Sequence, residues 1–236
     1  MSTISYERQS QILSPIKAAD THISVLGCGT VGSWAATCLA KAGFKKFFLC
    51  DMDVVEDVNL PSQAFDVDDL GNNKAVMLAE HLFVLGEPEV RSQNWALDGT
   101  EQYETGVILS AVDSMELRKD IFTYGAKGRT DCLFIDFRMG GNLLKVWAFD
   151  PSDERRCSQY ESTLHASSDS SPLPCGGRTF SPVGPLAGAV ATQLVTKWLR
   201  DGDHPPFHIQ MDFDRFQSHP IGLKKDDDVA PVAMSR

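Results

Sequence analysis

The sequence has no long apolar run, no apolar leader and no excess of positive charge. No window approaches the ~18 consecutive apolar residues of a membrane-spanning helix, and the polar residues 1–8 contain no apolar signal core. The formal net charge is −10, so the basic surface typical of nucleic-acid-binding proteins is not expected. These absences predict a cytoplasmic protein that binds neither a membrane nor a nucleic acid.

Cysteine is present, but not in the pairs that bind zinc. None of the six cysteines forms a C-x-x-C pair, which argues against a zinc ribbon. Four of them have apolar or tight-turn neighbours and are expected in the core, whereas two lie in a polar stretch. The expected core cysteines are Cys28, Cys38, Cys50 and Cys132, and the other two are Cys157 and Cys175.

Apolar patterns of strand and helix type alternate along the 236 residues. This alternation predicts an α/β fold with a doubly wound, largely parallel, Rossmann-like sheet. The strands are expected at 22–26, 46–50, 90–95, 107–112, 132–137, 143–149 and 207–213, and the main helices at 31–42, 73–85, 115–126 and 186–199.

One domain is expected to cover residues 1–219. It begins with a helix over 1–20 and contains a long crossover loop at about 151–182, where no periodicity is visible. Loops of that length inside a compact domain are usually functional. Residues 220–236 are expected to form a flexible tail.

A glycine-rich turn follows the first expected strand and opens the first main helix. Gly27 permits the tight turn, Gly29 lets the backbone approach a phosphate, and Gly32 lets helix and strand pack closely. The start of the helix offers free N–H groups to an anion. Asp51 ends the next strand, where its carboxylate can accept ribose hydroxyls. The pattern predicts nucleotide binding and, taken alone, fits NAD as well as ATP.

Further motifs, in order along residues 4–200, resemble the ThiF/MoeB/HesA (E1-like) superfamily, whose members use ATP to activate ubiquitin-like proteins and sulfur carriers. The stretch from Asp51 to Gln63 resembles D-x-D-x-V-x-x-x-N-L-x-R-Q. The others are Tyr6-Glu7-Arg8-Gln9 (Y-x-R-Q), Gly71-Asn72-Asn73-Lys74-Ala75 (G-x-x-K-A), Asp113 with Arg118 (D-x-x-x-x-R) and Gly184-Pro185-Leu186-Ala187-Gly188 (G-P-x-x-G).

The resemblance implies how the nucleotide is held. Asp51 and Asp53 would bind the ribose, while Asn59, Gln63 and Lys74 would reach the phosphates, with Lys74 as a cationic clamp. From the residues alone, the alternative for Lys74 is a surface lysine, and the alternative for the two amides is that they stabilise a loop.

The resemblance also implies a metal ligand and a residue from a second subunit. Asp113 would bind Mg²⁺, and Arg8 would reach across a homodimer interface to the partner's ATP as an arginine finger. Each has a simpler explanation: Asp113 can cap the helix that follows it, and Arg8 and Arg118 can be surface residues of helices.

Ser62 departs from the family pattern, which has arginine at that position. A serine cannot replace the charge of a guanidinium that contacts phosphate oxygens. Arg138, near the end of a later strand, is the candidate substitute and is therefore expected to be catalytic. The alternative for Arg138 is a structural ion pair with Asp136.

A cysteine of the crossover loop is a candidate for thioester or persulfide chemistry in the resembled family. Cys175 lies nine residues before Gly184, between a proline and two glycines, and Arg178 is close enough in sequence to lower its thiol pKa. Cys157, beside Arg155 and Arg156, is the rival. A third possibility is that the reaction stops at the adenylate.

The resemblance therefore implies an E1-like adenylyltransferase that uses ATP and Mg²⁺. The enzyme would adenylate the C-terminal glycine of a small β-grasp protein, either ubiquitin-like or a sulfur carrier. The activated C-terminus would then be transferred to a loop cysteine. Two other functions stay open. One is an NAD(P)-dependent oxidoreductase, and the other is a non-catalytic E1-like subunit, for which Ser62 is the argument.

Overall fold

A computed structural model describes residues 4–96, 103–104, 106–165, 182–202, 207–215 and 217–220. Its helices are α1 (Pro15–Asp20), α2 (Thr30–Lys41), α3 (Lys74–Phe83), α4 (Met115–Asp120), α5 (Glu154–Glu161) and α6 (Val183–Asp201). Its strands are β1 (His22–Leu26), β2 (Lys46–Cys50), β3 (Glu89–Gln93), β4 (Gly106–Ser110), β5 (Leu133–Gly140), β6 (Leu143–Phe149), β7 (His208–Asp212) and β8 (Gln217–Pro220).

The eight strands form one sheet in the order β3-β2-β1-β4-β5-β6-β7-β8. Strands β1 to β5 pair in parallel, and β6, β7 and β8 continue the sheet with antiparallel pairs. The expected doubly wound, largely parallel sheet is thus confirmed. The chain builds outward in one direction from β1 and in the other from β4, and ligands of such sheets bind at the carboxyl ends of the strands where the order reverses.

Two apolar layers cover the sheet. One face packs against α2, α3 and α6, and the other against α4, α5 and the π-helical turn Ile121–Ala126. Every residue of β4 is buried, as expected for a strand with helices on both faces. No helix among the described residues is long and apolar enough to cross a membrane.

Several expected elements differ from the structure. The helix expected over 1–20 is a 3-10 turn, Glu7–Gln9, followed after a break by the short α1, because Pro15 starts a new helix with Ser14 as its cap. The expected loop at 151–182 contains α5. Helix α4 passes into the π-helical turn at Ile121, and β8 was missed. The expected tail, apart from Pro220, lies outside the described residues.

Candidate functional site

The glycine-rich turn has the geometry that its sequence predicts. Gly27 has a φ of +90°, which favours glycine. A methyl group on Gly32 would lie 1.8 Å from the Gly27 carbonyl oxygen, so this glycine is what lets α2 pack against β1. Gly29 precedes α2, and among the described residues a methyl group there would have only Gln63 Nε2 nearby, at 4.0 Å. The turn thus leaves open space at Gly29, at the start of α2.

Asp51 is tied directly to that turn. Its Oδ2 accepts a hydrogen bond from the Cys28 backbone N–H at 2.6 Å, and its Oδ1 accepts one from the Asp53 N–H at 2.9 Å. Burial raises the pKa of the Asp51 carboxyl, although the two N–H donors and Lys74 oppose that change. Because a carboxylate offers about four lone-pair positions, acceptor capacity is left for a ribose.

Lys74 is not a surface lysine. Only 8% of its side chain is exposed, and its Nζ lies 3.1 Å from Asp53 Oδ2. The preceding residue, Asn73, caps α3, and its side-chain amide donates to the backbone carbonyls of Asp51 and Asp53 at 2.9 and 3.0 Å. A buried cation is therefore fixed beside the carboxylates that the resemblance assigns to the ribose.

The loop after Asp53 carries two more candidates, of which Gln63 lies near the start of α2. Asn59 Oδ1 accepts from the Glu56 N–H at 3.0 Å, which is the loop-stabilising role considered above. Gln63 Oε1 is buried, and no group in the described part of the chain bonds to it. Ser62 Oγ lies 3.2 Å from Thr30 Oγ1. Ser62 thus faces α2 with a hydroxyl and supplies no charge there, and the phosphate roles of Asn59 and Gln63 stay predictions.

Asp113 follows the carboxyl end of β4. It is exposed, and no partner for its side chain exists among the described residues. The capping role considered for Asp113 belongs instead to Ser114, whose Oγ accepts from the Leu117 N–H at 3.1 Å. An exposed carboxylate without a protein partner at a strand end suits Mg²⁺, which keeps several of its waters when bound.

Arg118 does not have the surface position that was its alternative explanation. Arg118 is buried and bonds to Asp136, to the Val112 carbonyl and, at 2.9 Å, to the Phe137 carbonyl. Its length lets it reach from α4 across to β5. Through Val112, it holds the segment that carries Asp113.

Arg138 forms the ion pair that was considered as its alternative role. Its Nε donates to Asp136 Oδ2 at 2.9 Å, and both terminal nitrogens donate to Thr163, also at 2.9 Å. The guanidinium lies 4.0 Å from the centre of the Trp147 ring. Its contact with a nucleotide stays a prediction.

The sequence model of the ThiF family matches residues 8–227. The chain belongs to the ThiF family. Two curated relatives are tRNA threonylcarbamoyladenosine dehydratases. The Escherichia coli K12 protein is 34% identical over 114 residues, and the alignment covers 45% of this chain and 42% of the Escherichia coli protein. The Saccharomyces cerevisiae protein is 25% identical over 127 residues, and the alignment covers 50% of this chain and 30% of the yeast protein. The aligned region is thus less than half of either relative's length.

Solved structures share the fold of this ThiF-family chain. Escherichia coli MccB crystallised with ATP has a TM-score of 0.70 at 20% identity, over 91% of this chain and 67% of its own. MccB with AMPCPP and MccA has a TM-score of 0.67 at 19% identity, and the match covers 87% of this chain and 64% of the MccB chain. PaaA has a TM-score of 0.67 at 17% identity, and the match covers 91% of this chain and 80% of the PaaA chain. At these identities, the likeness concerns the fold.

Within this ThiF-family fold, the predicted residues fall into two groups at one edge of the sheet. Asp51, Asp53 and Lys74 are joined to the glycine-rich turn, and the Arg118–Asp136–Arg138 cluster is joined to the Asp113 segment through Val112. Arg8 is exposed on the N-terminal 3-10 turn, and no hydrogen bond or ion pair joins it to either group in the described ranges. Its role in a partner's site stays a prediction.

Two supporting residues were missed by the sequence reasoning. Asn73 was read only as part of a motif, although an Asn before a helical pattern is a known cap signal. Thr163 carries no signal in the sequence, because its contact with Arg138 depends on how α5 packs.

Of the two cysteines expected in the crossover loop, the structure describes Cys157. Cys157 lies on α5 and is buried, and its Sγ donates to the Pro151 carbonyl at 3.2 Å. Burial raises the pKa of the Cys157 thiol to about 11, whereas a nucleophilic cysteine needs a lowered pKa. Cys175 and Arg178 lie outside the described residues, so the role of Cys175 stays a prediction.

Cys157 is expected to resist alkylation in the folded protein. At pH 8, a thiol with a pKa of about 11 is ionised to only ~0.1%, and burial adds a steric barrier. Iodoacetamide labelling with peptide mass spectrometry should show slow modification of Cys157, with the urea-unfolded protein as the control. Equal labelling rates of Cys157 in the folded and unfolded states would contradict the conclusion that its thiol is buried and has a raised pKa.

Proposed function

We propose that this chain is an adenylyltransferase, which uses ATP to activate the C-terminal carboxylate of a protein partner. The observation that carries the proposal is the buried Lys74 beside Asp53, next to a glycine-rich turn bonded to Asp51. A dehydrogenase needs the turn and the carboxylate but has no use for a buried lysine there. Phosphoryl chemistry needs such a cation, because the phosphates carry the negative charge.

The proposed reaction joins two anions. A carboxylate oxygen of the partner forms a bond to the α-phosphorus of ATP while the bond from that phosphorus to the β-phosphate oxygen breaks. Pyrophosphate leaves with the electron pair, and the partner becomes an acyl-adenylate. The protein supplies positioning and positive charge rather than a covalent nucleophile.

The site residues take these roles in the proposal. Asp51 and Asp53 hold the ribose, and Asn59, Gln63 and Lys74 face the phosphates. The Asp113 carboxylate fits Mg²⁺, which would neutralise phosphate charge when bound. Arg8 acts on the site of a second copy in a homodimer.

The proposed partner is a small β-grasp protein, ubiquitin-like or a sulfur carrier, whose C-terminal glycine is activated. The net charge of −10 argues against a nucleic-acid substrate, although the curated relatives are named for a tRNA nucleoside. The solved structures pair MccB with ATP and with MccA, which supports a nucleotide and a second reactant on this fold. Transfer to Cys175 would follow adenylation.

A comparison of thermal stability tests the proposal. A ligand at 100 times its Kd stabilises a protein by ~2.7 kcal/mol, so millimolar Mg-ATP should raise the Tm, whereas NAD⁺ should not. Asp113→Ala should reduce the Mg-ATP effect because it removes the metal ligand. The matched control is Asp68→Ala, which removes another exposed carboxylate and should leave the effect unchanged.

The outcomes separate the three functions. Stabilisation by NAD⁺ alone would refute adenylation and make Asp51 part of a dehydrogenase. No effect of either nucleotide would favour a non-catalytic subunit, with Ser62 as the reason. If Mg-ATP stabilises Asp113→Ala as much as the wild type, Asp113 is not the Mg²⁺ ligand.

A further inference from the structure

A row of polar side chains crosses one face of the sheet beside the proposed site. In the strand register, Ser110 at the end of β4 pairs with Asp136, Asp136 with Trp147, and Trp147 with His208. Residues that pair in this way point to the same face, which carries an apolar cluster that includes Phe134 and Phe149. A polar row in such a layer is costly unless it is fully bonded.

This row carries more positive than negative charge. Asp136 is fully buried, and two guanidinium groups, those of Arg118 and Arg138, bond to it. Lys145 is the cross-strand neighbour of Arg138 and adds to the positive field. Burial, with help from Lys145 and Arg138, lowers the pKa of His208 to about 4. Two guanidinium groups therefore share the Asp136 carboxylate, and a third cation and a neutral histidine lie on the neighbouring strands.

Hydrogen-bond donors remain in the same place. Arg138 uses three of its five N–H groups, on Asp136 and Thr163, and 13% of its side chain is exposed. The Arg118 Nε and the Ser110 Oγ are buried, with no partner in the ranges that the structure describes. Surplus positive charge with unused donors is an environment that favours an anion.

The order of the strands indicates which anion. Along the carboxyl edge of the sheet, β2 is followed by Asp51, β1 by the glycine-rich turn and β4 by the segment that carries Asp113, and β5 carries Arg138. In the proposed function, the first three positions hold ribose, phosphates and metal. The proposed function then leaves the next position along the edge, at β5, for the group that attacks the phosphates.

We propose that Arg138, supported by Arg118 and Lys145, binds the carboxylate of the protein or peptide that is to be adenylated. This inference rests on the proposed function. It gives Arg138 a task other than the phosphate contact predicted from the missing arginine at Ser62. The guanidinium would hold the carboxylate beside the nucleotide, so that one of its oxygens bonds to the α-phosphorus as pyrophosphate leaves.

The test compares free-acid and amidated peptides. The probe is a synthetic pool of hexapeptides ending in Gly-Gly with the first four positions randomised, added to protein loaded with Mg-AMPCPP. The wild type should bind the free-acid pool about tenfold tighter than the amidated pool. In Arg138→Met, that ratio should fall to about one, while Mg-AMPCPP still stabilises the variant.

Two further variants keep the test decisive. Lys145 is exposed, so Lys145→Met should fold even if Arg138→Met does not, and it should lower the ratio by about threefold. The matched control is Arg156→Met. Arg156 also stacks on an aromatic ring, that of Phe207 at 4.9 Å, but it lies outside the row, so the ratio should not change.

The opposing results are distinct. If a wild type that Mg-AMPCPP stabilises binds both pools equally, or neither, the carboxylate site is refuted while adenosine-nucleotide binding stands. If Arg138→Met loses Mg-AMPCPP binding itself, the arginine contacts phosphate and the inference is wrong. If Mg-AMPCPP does not stabilise the wild type, the proposed function fails first.

Discussion

Gly32→Ala is expected to lose at least about 3 kcal/mol of folding free energy, the upper part of the usual range for overpacking. The added methyl group would lie 1.8 Å from the Gly27 carbonyl oxygen and 3.1 Å from Val25 Cγ1. The oxygen belongs to the backbone of a tight turn, so no side-chain rotation can relieve the clash. Urea unfolding should show a lower midpoint with an unchanged slope.

Gly29→Ala is the matched control, three residues earlier in the same turn. In the part of the chain that the structure describes, a methyl group there meets nothing closer than Gln63 Nε2 at 4.0 Å, so stability should fall by no more than about 1 kcal/mol. The variant should nevertheless bind Mg-ATP more weakly, because the methyl group occupies space proposed for a phosphate. Equal stability losses in the two variants would contradict this account of the turn.

Asp136→Asn is expected to destabilise the protein by about 3–5 kcal/mol, the usual cost of breaking a buried ion pair. The amide keeps the shape of the side chain but removes the charge that faces Arg118 and Arg138. The measurement is the change in the free energy of unfolding by urea.

A surface ion pair provides the comparison for that variant. Asp201 contacts Arg200 and Lys197 at the end of α6, where solvent screens the charges. Asp201→Asn should therefore cause little measurable change. If Asp136→Asn were equally mild, the cluster around Asp136 would not be the buried junction described above.

The sequence was informative where the structure depends on local or periodic signals. The apolar run at 107–112 predicted a strand buried on both faces, and Gly106–Ser110 is one. The glycine spacing predicted a close contact between helix and strand, and Gly32 makes it. Asp51 was expected at the end of the second strand, and it directly follows β2 there.

Features that depend on packing at a distance could not be predicted. Arg118 has the sequence context of a surface helix residue, and only the approach of α4 to β5 buries it against Asp136. Helix α5 has a weak apolar pattern and was read as loop, yet Cys157 and Tyr160 anchor it in the core. The burial that makes the Cys157 thiol unreactive follows from that packing.

The bond between the Cys28 amide and Asp51 has a consequence for protein engineering. The carboxylate proposed to recognise the sugar is also an acceptor for the backbone that approaches the phosphates. An exchange of Asp51 aimed at a different cofactor would release the Cys28 N–H and disturb the turn as well. Redesign of nucleotide preference in this chain therefore has to transplant the turn and the strand end together, as one cassette.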